Sequence, residues 1–144
     1  MSTPSDNEII QSAINLVNEG LRVTFPVKGY SMLPFIIGSK ESVDLVKPEN
    51  LQVGHVVLAW VEGCRYVVHR IIAIHGDQVV LMGDGNISGT ESCRVSDVAG
   101  VVTQYLRPRR MMFASDPKLQ RRIRLWRKLL PVRRYLLFIY KAII

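Results

Sequence analysis

Residues 66–82 read Tyr-Val-Val-His-Arg-Ile-Ile-Ala-Ile-His-Gly-Asp-Gln-Val-Val-Leu-Met. Two runs of β-branched and aliphatic residues, Tyr66 to Ile74 and Val79 to Met82, flank His75-Gly76-Asp77. Residues of that kind suit a pleated, half-buried surface, and Gly beside Asp suits a tight turn, so the stretch predicts a β-hairpin. The same pattern continues outward in both directions. Val23, Phe25 and Val27 alternate with polar residues, and further runs lie at Val43 to Val46, Val56 to Trp60 and Val98 to Tyr105. Turn signals separate them at Pro48-Glu49-Asn50, Glu62-Gly63 and Gly83-Asp84-Gly85-Asn86. Six short strands in about 85 residues predict a mostly β chain, a folded-over antiparallel sheet or partly closed barrel. There is no internal repeat and no low-complexity stretch.

Both flanks of this region read as helix. Residues 5–19 place Ile10, Ala13, Ile14 and Val17 on one face, with Ser5 and Glu8 as a capping box and Gly20 at the C′ position. At the other end Leu119, Ile123, Trp126 and Leu130 share a helical face, and beyond Pro131 the helical spacing resumes in Val132, Tyr135, Leu136, Ile139, Tyr140 and Ile143. The expected organisation is a β domain over 1–106 with its N-terminal helix, followed by a basic amphipathic helical tail over 107–144.

Charge divides at the same boundary. The chain carries a formal net charge of +7. Residues 1–106 hold 7 Lys/Arg against 11 Asp/Glu, whereas residues 107–144 hold 12 Lys/Arg against Asp116 alone. An acidic body with a basic tail points to a polyanionic partner. The apolar residues interleaved with Arg121, Arg122, Arg124, Trp126, Arg127, Lys128, Arg133 and Arg134 favour an anionic membrane surface over nucleic acid. About 20 residues before the first strand leave no room for a helix-turn-helix domain. No apolar run reaches about 18 residues, so no ordinary membrane span is expected, and no N-terminal secretory signal is read. Cys64 and Cys93 match no metal or redox spacing and read as two free thiols in a reducing compartment. The expected location is therefore cytoplasmic, peripheral on the inner membrane face, with no metal and no cofactor.

Three segments carry the candidate chemistry. In Gly29-Tyr30-Ser31-Met32-Leu33-Pro34 a glycine turns the backbone after a strand and presents Ser31 outward, with backbone N–H groups beside it that suit an oxyanion. His69 lies within a strand-forming run, where an imidazole must be hydrogen-bonded or used. Gly83-Asp84-Gly85-Asn86, with Glu91 beyond it, offers carboxylates to orient that imidazole. Taken singly, each segment also reads as an ordinary turn or core position.

In order, "KGYSMLPFI", "LQVGHVVLAW", "YVVHRIIAIHGD", "LMGDGN" and "DVAGVVT" resemble the type I signal peptidases and their LexA-like relatives, across roughly residues 23–103. Bacterial members use a serine–lysine dyad; His69 stands at the lysine's place, which resembles the histidine-type members that use Ser, His and Asp. The resemblance implies a serine peptidase acting on an extended peptide or precursor protein. It implies Ser31 as nucleophile, His69 as general base, the Ser31 backbone N–H as part of the oxyanion hole, and Asp84 ahead of Glu91 as the orienting acid. The family's second acid after the "GDN" motif has only Glu91 as a counterpart, His55 replaces the usual aspartate at its strand start, and Gly29 replaces a serine found in some bacterial members. A catalytically silent peptide-binding or membrane-docking module of the same fold is the alternative.

Overall fold

The computed structural model describes residues 6–27, 31–36, 41–107 and 110–143. Ser5 of the expected capping box and Gly29 of the serine turn lie outside them. The chain begins with α1 (Asp6–Asn18), whose end is set by Gly20 at φ 87°. The Gly20 N–H bonds Val17 O and the Leu21 N–H bonds Leu16 O, the paired bonds of a left-handed helix stop. Strands follow as β1 (Val23–Pro26), β2 (Ser42–Val46), β3 (Val56–Val61), β4 (Arg65–His75), β5 (Gln78–Met82), β6 (Glu91–Arg94), β7 (Val98–Arg107) and β8 (Arg110–Phe113). Then come α2 (Pro117–Lys128) and α3 (Arg133–Ile143), joined by a 3-10 turn at Leu130–Val132.

All strand pairs are antiparallel, in the order β1-β2-β7-β3-β4-β5-β6, with β8 also on β7. The result is an open, strongly curled antiparallel sheet, a half-barrel. Register shifts at Asp44/Leu45, Leu58/Ala59 and Ile71/Ala73 supply the bends that curl it. The predicted hairpin is β4–β5, closing with His75 opposite Gln78. Two strands go beyond the six expected, β6 and β8; β8 draws residues 110–113 of the expected tail into the sheet.

β3 reads Val-Val-Leu-Ala-Trp-Val because both its faces are covered. Val56 and Leu58 join a core with Val43, Leu45, Met32, Leu33 and Ile36, while Val57, Ala59 and Val61 join another with Ile71, Val79, Leu81 and Val101. The first core also takes Ala13, Ile14 and Val17 from α1, and Leu119, Ile123, Trp126 and Leu137 from the C-terminal helices. Those helices therefore pack on the body. This corrects the expectation that Leu119, Ile123 and Trp126 present a face to a membrane: their face is inside, because Trp126 donates its indole N–H to Asp84 O at 2.7 Å and packs edge-on against Phe35. Arg133, expected at the membrane surface, is likewise buried, with only 3% exposed.

Candidate active site

A cleft of about 530 Å³ opens between α1, β1 and the first half of β4. Ile9, Ile10, Phe25, Val27 and Leu58 give it an apolar wall, and Ser31, Arg65, His69, Asn86 and Glu91 give it polar groups. Ser31 and His69, 38 positions apart in sequence by their numbering, thus reach one concavity.

Ser31 opens a tight turn in which Phe35 N–H and Ile36 N–H both bond Met32 O. Met32, Leu33 and Ile36 are fully buried beneath it and hold the turn down. Its position is fixed from the other side by the Gly83–Asn86 turn. Gly85 N–H bonds Ser31 O at 2.7 Å, and Asp84 N–H contacts Met32 Sδ at 3.4 Å. Gly83 is required there by space: a Cβ on it would stand 2.4 Å from Ser31 O. The two loops are in backbone contact, so a change in one moves the other.

His69 is 4% exposed, and its Nδ1 lies 3.1 Å from Glu91 Oε2. Glu91 Oε1 meets Arg65 Nη2 at 3.4 Å. A carboxylate accepts, so Nδ1 donates this bond, and in the neutral imidazole Nε2 is then the acceptor. Among the described residues Ser31 and His69 form no direct hydrogen bond, though both line the cleft.

Asp84 is elsewhere. Both its carboxylate oxygens take Arg70, from Nε at 2.8 Å and Nη2 at 2.6 Å, and Arg70 Nη1 donates to Gly54 O at 2.8 Å. Burial works against the Arg70 charge, but the Asp84 carboxylate and Tyr105 outweigh it and hold the guanidinium pKa above its ordinary value. The expectation of Asp84 as the residue behind His69 is therefore corrected to Glu91. Strand geometry explains why. His69 and Arg70 are neighbours on β4 and point to opposite faces. Register runs from Ile71 to Leu81 to Glu91 on one face and from Arg70 to Met82 on the other. Glu91 thus shares His69's face, and Asp84, two residues past Met82, shares Arg70's.

His55, the replacement for the family's aspartate, lies at the start of β3, where its Nδ1 accepts the Gln52 N–H at 3.2 Å; burial lowers its pKa. It takes no part in the cleft. No group of residues able to hold a metal occurs among those described. Cys64 and Cys93 are both free, and burial, with Asp97 nearby, raises the Cys93 thiol pKa. Arg65 and Asn86 were not expected in the site. Arg65 is signalled only by opening the same strand as His69. Compared with models of known protein families the chain matches none, and no curated protein is significantly similar to it.

Proposed function

We propose that the chain is a serine endopeptidase of the signal-peptidase-like, histidine-type kind. The observation that carries this reading is the contact between His69 Nδ1 and the nearly buried Glu91 carboxylate in the cleft that Ser31 lines. In the proposed reaction His69 Nε2 takes the Ser31 hydroxyl proton as Oγ attacks a peptide carbonyl. The imidazolium, stabilised by Glu91, then gives that proton to the departing amine, and water clears the acyl-enzyme by the reverse relay. The Ser31 backbone N–H is the proposed oxyanion donor.

The substrate fits as an extended strand. Residues 65–69 of β4 pair with β3 on one side, whereas β5 begins its pairing only at Arg70. β1 is terminal in the sheet, so two strand edges border the cleft and can receive peptide backbone. A silent peptide-binding module would use the same edges, but it has no use for a carboxylate aligned behind a histidine. The test is cleavage of a proteome-derived peptide library read by mass spectrometry. Wild-type protein should generate new termini, and Ser31→Ala and His69→Ala should generate none while remaining folded. Undiminished cleavage by Ser31→Ala would end the assignment.

The same proposal places the enzyme on the cytoplasmic face of an anionic membrane, through the outer surface of the tail. No helix among the described residues is long and apolar enough to cross a membrane. Tyr135, Phe138 and Ile139 are exposed, Phe138 at 78%, and the exposed Arg121, Arg122, Arg124, Arg127, Lys128 and Arg134 lie on the same two helices. Each basic residue near such a surface contributes about 1 kcal/mol, weakened by salt. Because α2 belongs to the core, truncation is a poor test. Phe138→Glu, in the full chain, should lower co-sedimentation with anionic vesicles; unchanged recovery would remove the tail from the docking argument.

A further inference from the structure

A second, smaller cavity of about 140 Å³ lies between the Gly83–Asp84 turn and the C-terminal helices. Its charged lining is Arg70, Asp84, Arg127 and Arg133, and its rim includes Leu130. Three guanidiniums therefore face one carboxylate, and both oxygens of that carboxylate already accept from Arg70. Arg133 is the anomaly. It is 97% buried by its 3% exposure, its Nη1 and Nη2 donate only to the main-chain carbonyls of Asn86 and Trp126, and its Nε has no partner among the described residues. Its pKa is lowered, first by burial and then by Arg70 and Arg127, against the opposing pull of Asp84. Buried cations are ordinarily matched by an anion. Here the match is incomplete: Arg133 lies over the Trp126 ring at 5.0 Å and shares the Asp84 carboxylate with Arg70, and its charge lines the cavity.

We propose that this cavity is a binding site for a phosphate-class oxyanion, either inorganic phosphate or the phosphate of a lipid headgroup. The space is far above the roughly 10–15 Å³ that admits one water. Arginine forks match tetrahedral oxyanions in geometry as well as charge. Arg127 and Leu130 are both exposed, so the mouth opens on the tail surface. The bound anion would balance the Arg133 charge and accept from its Nε, while Nη1 and Nη2 keep Asn86, on the turn that contacts Ser31, and Trp126.

The inference stands apart from the peptidase reading, and its readout is binding rather than activity. Full-length protein is titrated calorimetrically with sodium phosphate, against sodium chloride at matched ionic strength. Arg127→Gln is the test variant, because Arg133 also carries the packing of two loops. Lys128→Gln, equal in charge change but outside the cavity lining, is the control. Saturable phosphate binding is expected, weakened about tenfold in Arg127→Gln, the equivalent of one charge-assisted contact, and unaltered in Lys128→Gln. A second arm uses phosphatidylcholine vesicles containing phosphatidic acid. Displacement from them by soluble phosphate, lost in Arg127→Gln, identifies a headgroup as occupant; vesicle binding indifferent to both identifies free phosphate. No saturation by phosphate, or equal weakening in the two variants, overturns the site.

Discussion

Gly83→Ala is the substitution that most sharply probes how Ser31, the proposed nucleophile, is held. The new Cβ would lie 2.4 Å from Ser31 O, a backbone atom that cannot rotate away, and 3.0 Å from the Asn86 side-chain nitrogen. Ordinary contact requires about 3.4 Å, so the two loops must separate by about 1 Å. The Gly85 N–H to Ser31 O bond of 2.7 Å then stretches beyond hydrogen-bonding range or tilts out of line. Loss of that bond and the local overpacking together cost about 1–3 kcal/mol. Moving a reactive group by about 1 Å costs about 100-fold in rate. Single-turnover cleavage of a peptide identified in the library screen would give the rate, and thermal unfolding the stability. Expected is a folded protein with a Tm lowered by several degrees and a rate constant lowered about 100-fold. Wild-type rate and stability together would refute the close approach of the two loops.

The two carboxylates should part company under substitution. Glu91→Gln leaves His69 without an anion behind it and should lower kcat by about 100-fold or more, with KM little changed and Tm preserved, in steady-state kinetics. Asp84→Asn should instead leave Arg70 buried and unmatched, costing about 3–5 kcal/mol in denaturant unfolding; a larger loss of kcat than of stability there would return Asp84 to the site. The thiols differ by burial, so maleimide should modify Cys64 first and Cys93 only slowly below alkaline pH, by intact mass; equal rates would contradict the buried setting of Cys93.

What the sequence made legible was whatever repeats with period two or ends in a turn. The β4–β5 hairpin, the alternation in β1 and the Gly20 helix stop follow from residue type and φ preference. β6 did not, because Glu-Ser-Cys-Arg is four residues long and Cys93 is the one apolar residue it offers to the interior. Without β6, Glu91 reads as a loop residue and Asp84 takes the place behind His69. The register from Ile71 through Leu81 to Glu91 puts Glu91 on His69's face, and that from Arg70 to Met82 puts Asp84 on Arg70's. The tail failed differently. A stripe such as Leu119, Ile123 and Trp126 has the same period whether it meets lipid or a protein core. The indole N–H of Trp126 was the one available hint, since a buried indole needs an acceptor and Asp84 O supplies it.

The proposed catalysis requires Ser31, His69 and Glu91 to act as one unit, and a fluorophosphonate probe reads that unit without knowledge of the substrate. One adduct per chain is expected, mapped to Ser31 by peptide mass spectrometry. Labelling should vanish in Ser31→Ala and slow strongly in His69→Ala and Glu91→Gln, and Asp84→Asn should still label wherever it remains folded. Labelling of other serines, no labelling of folded wild-type protein, or a Glu91→Gln rate equal to wild type would contradict it.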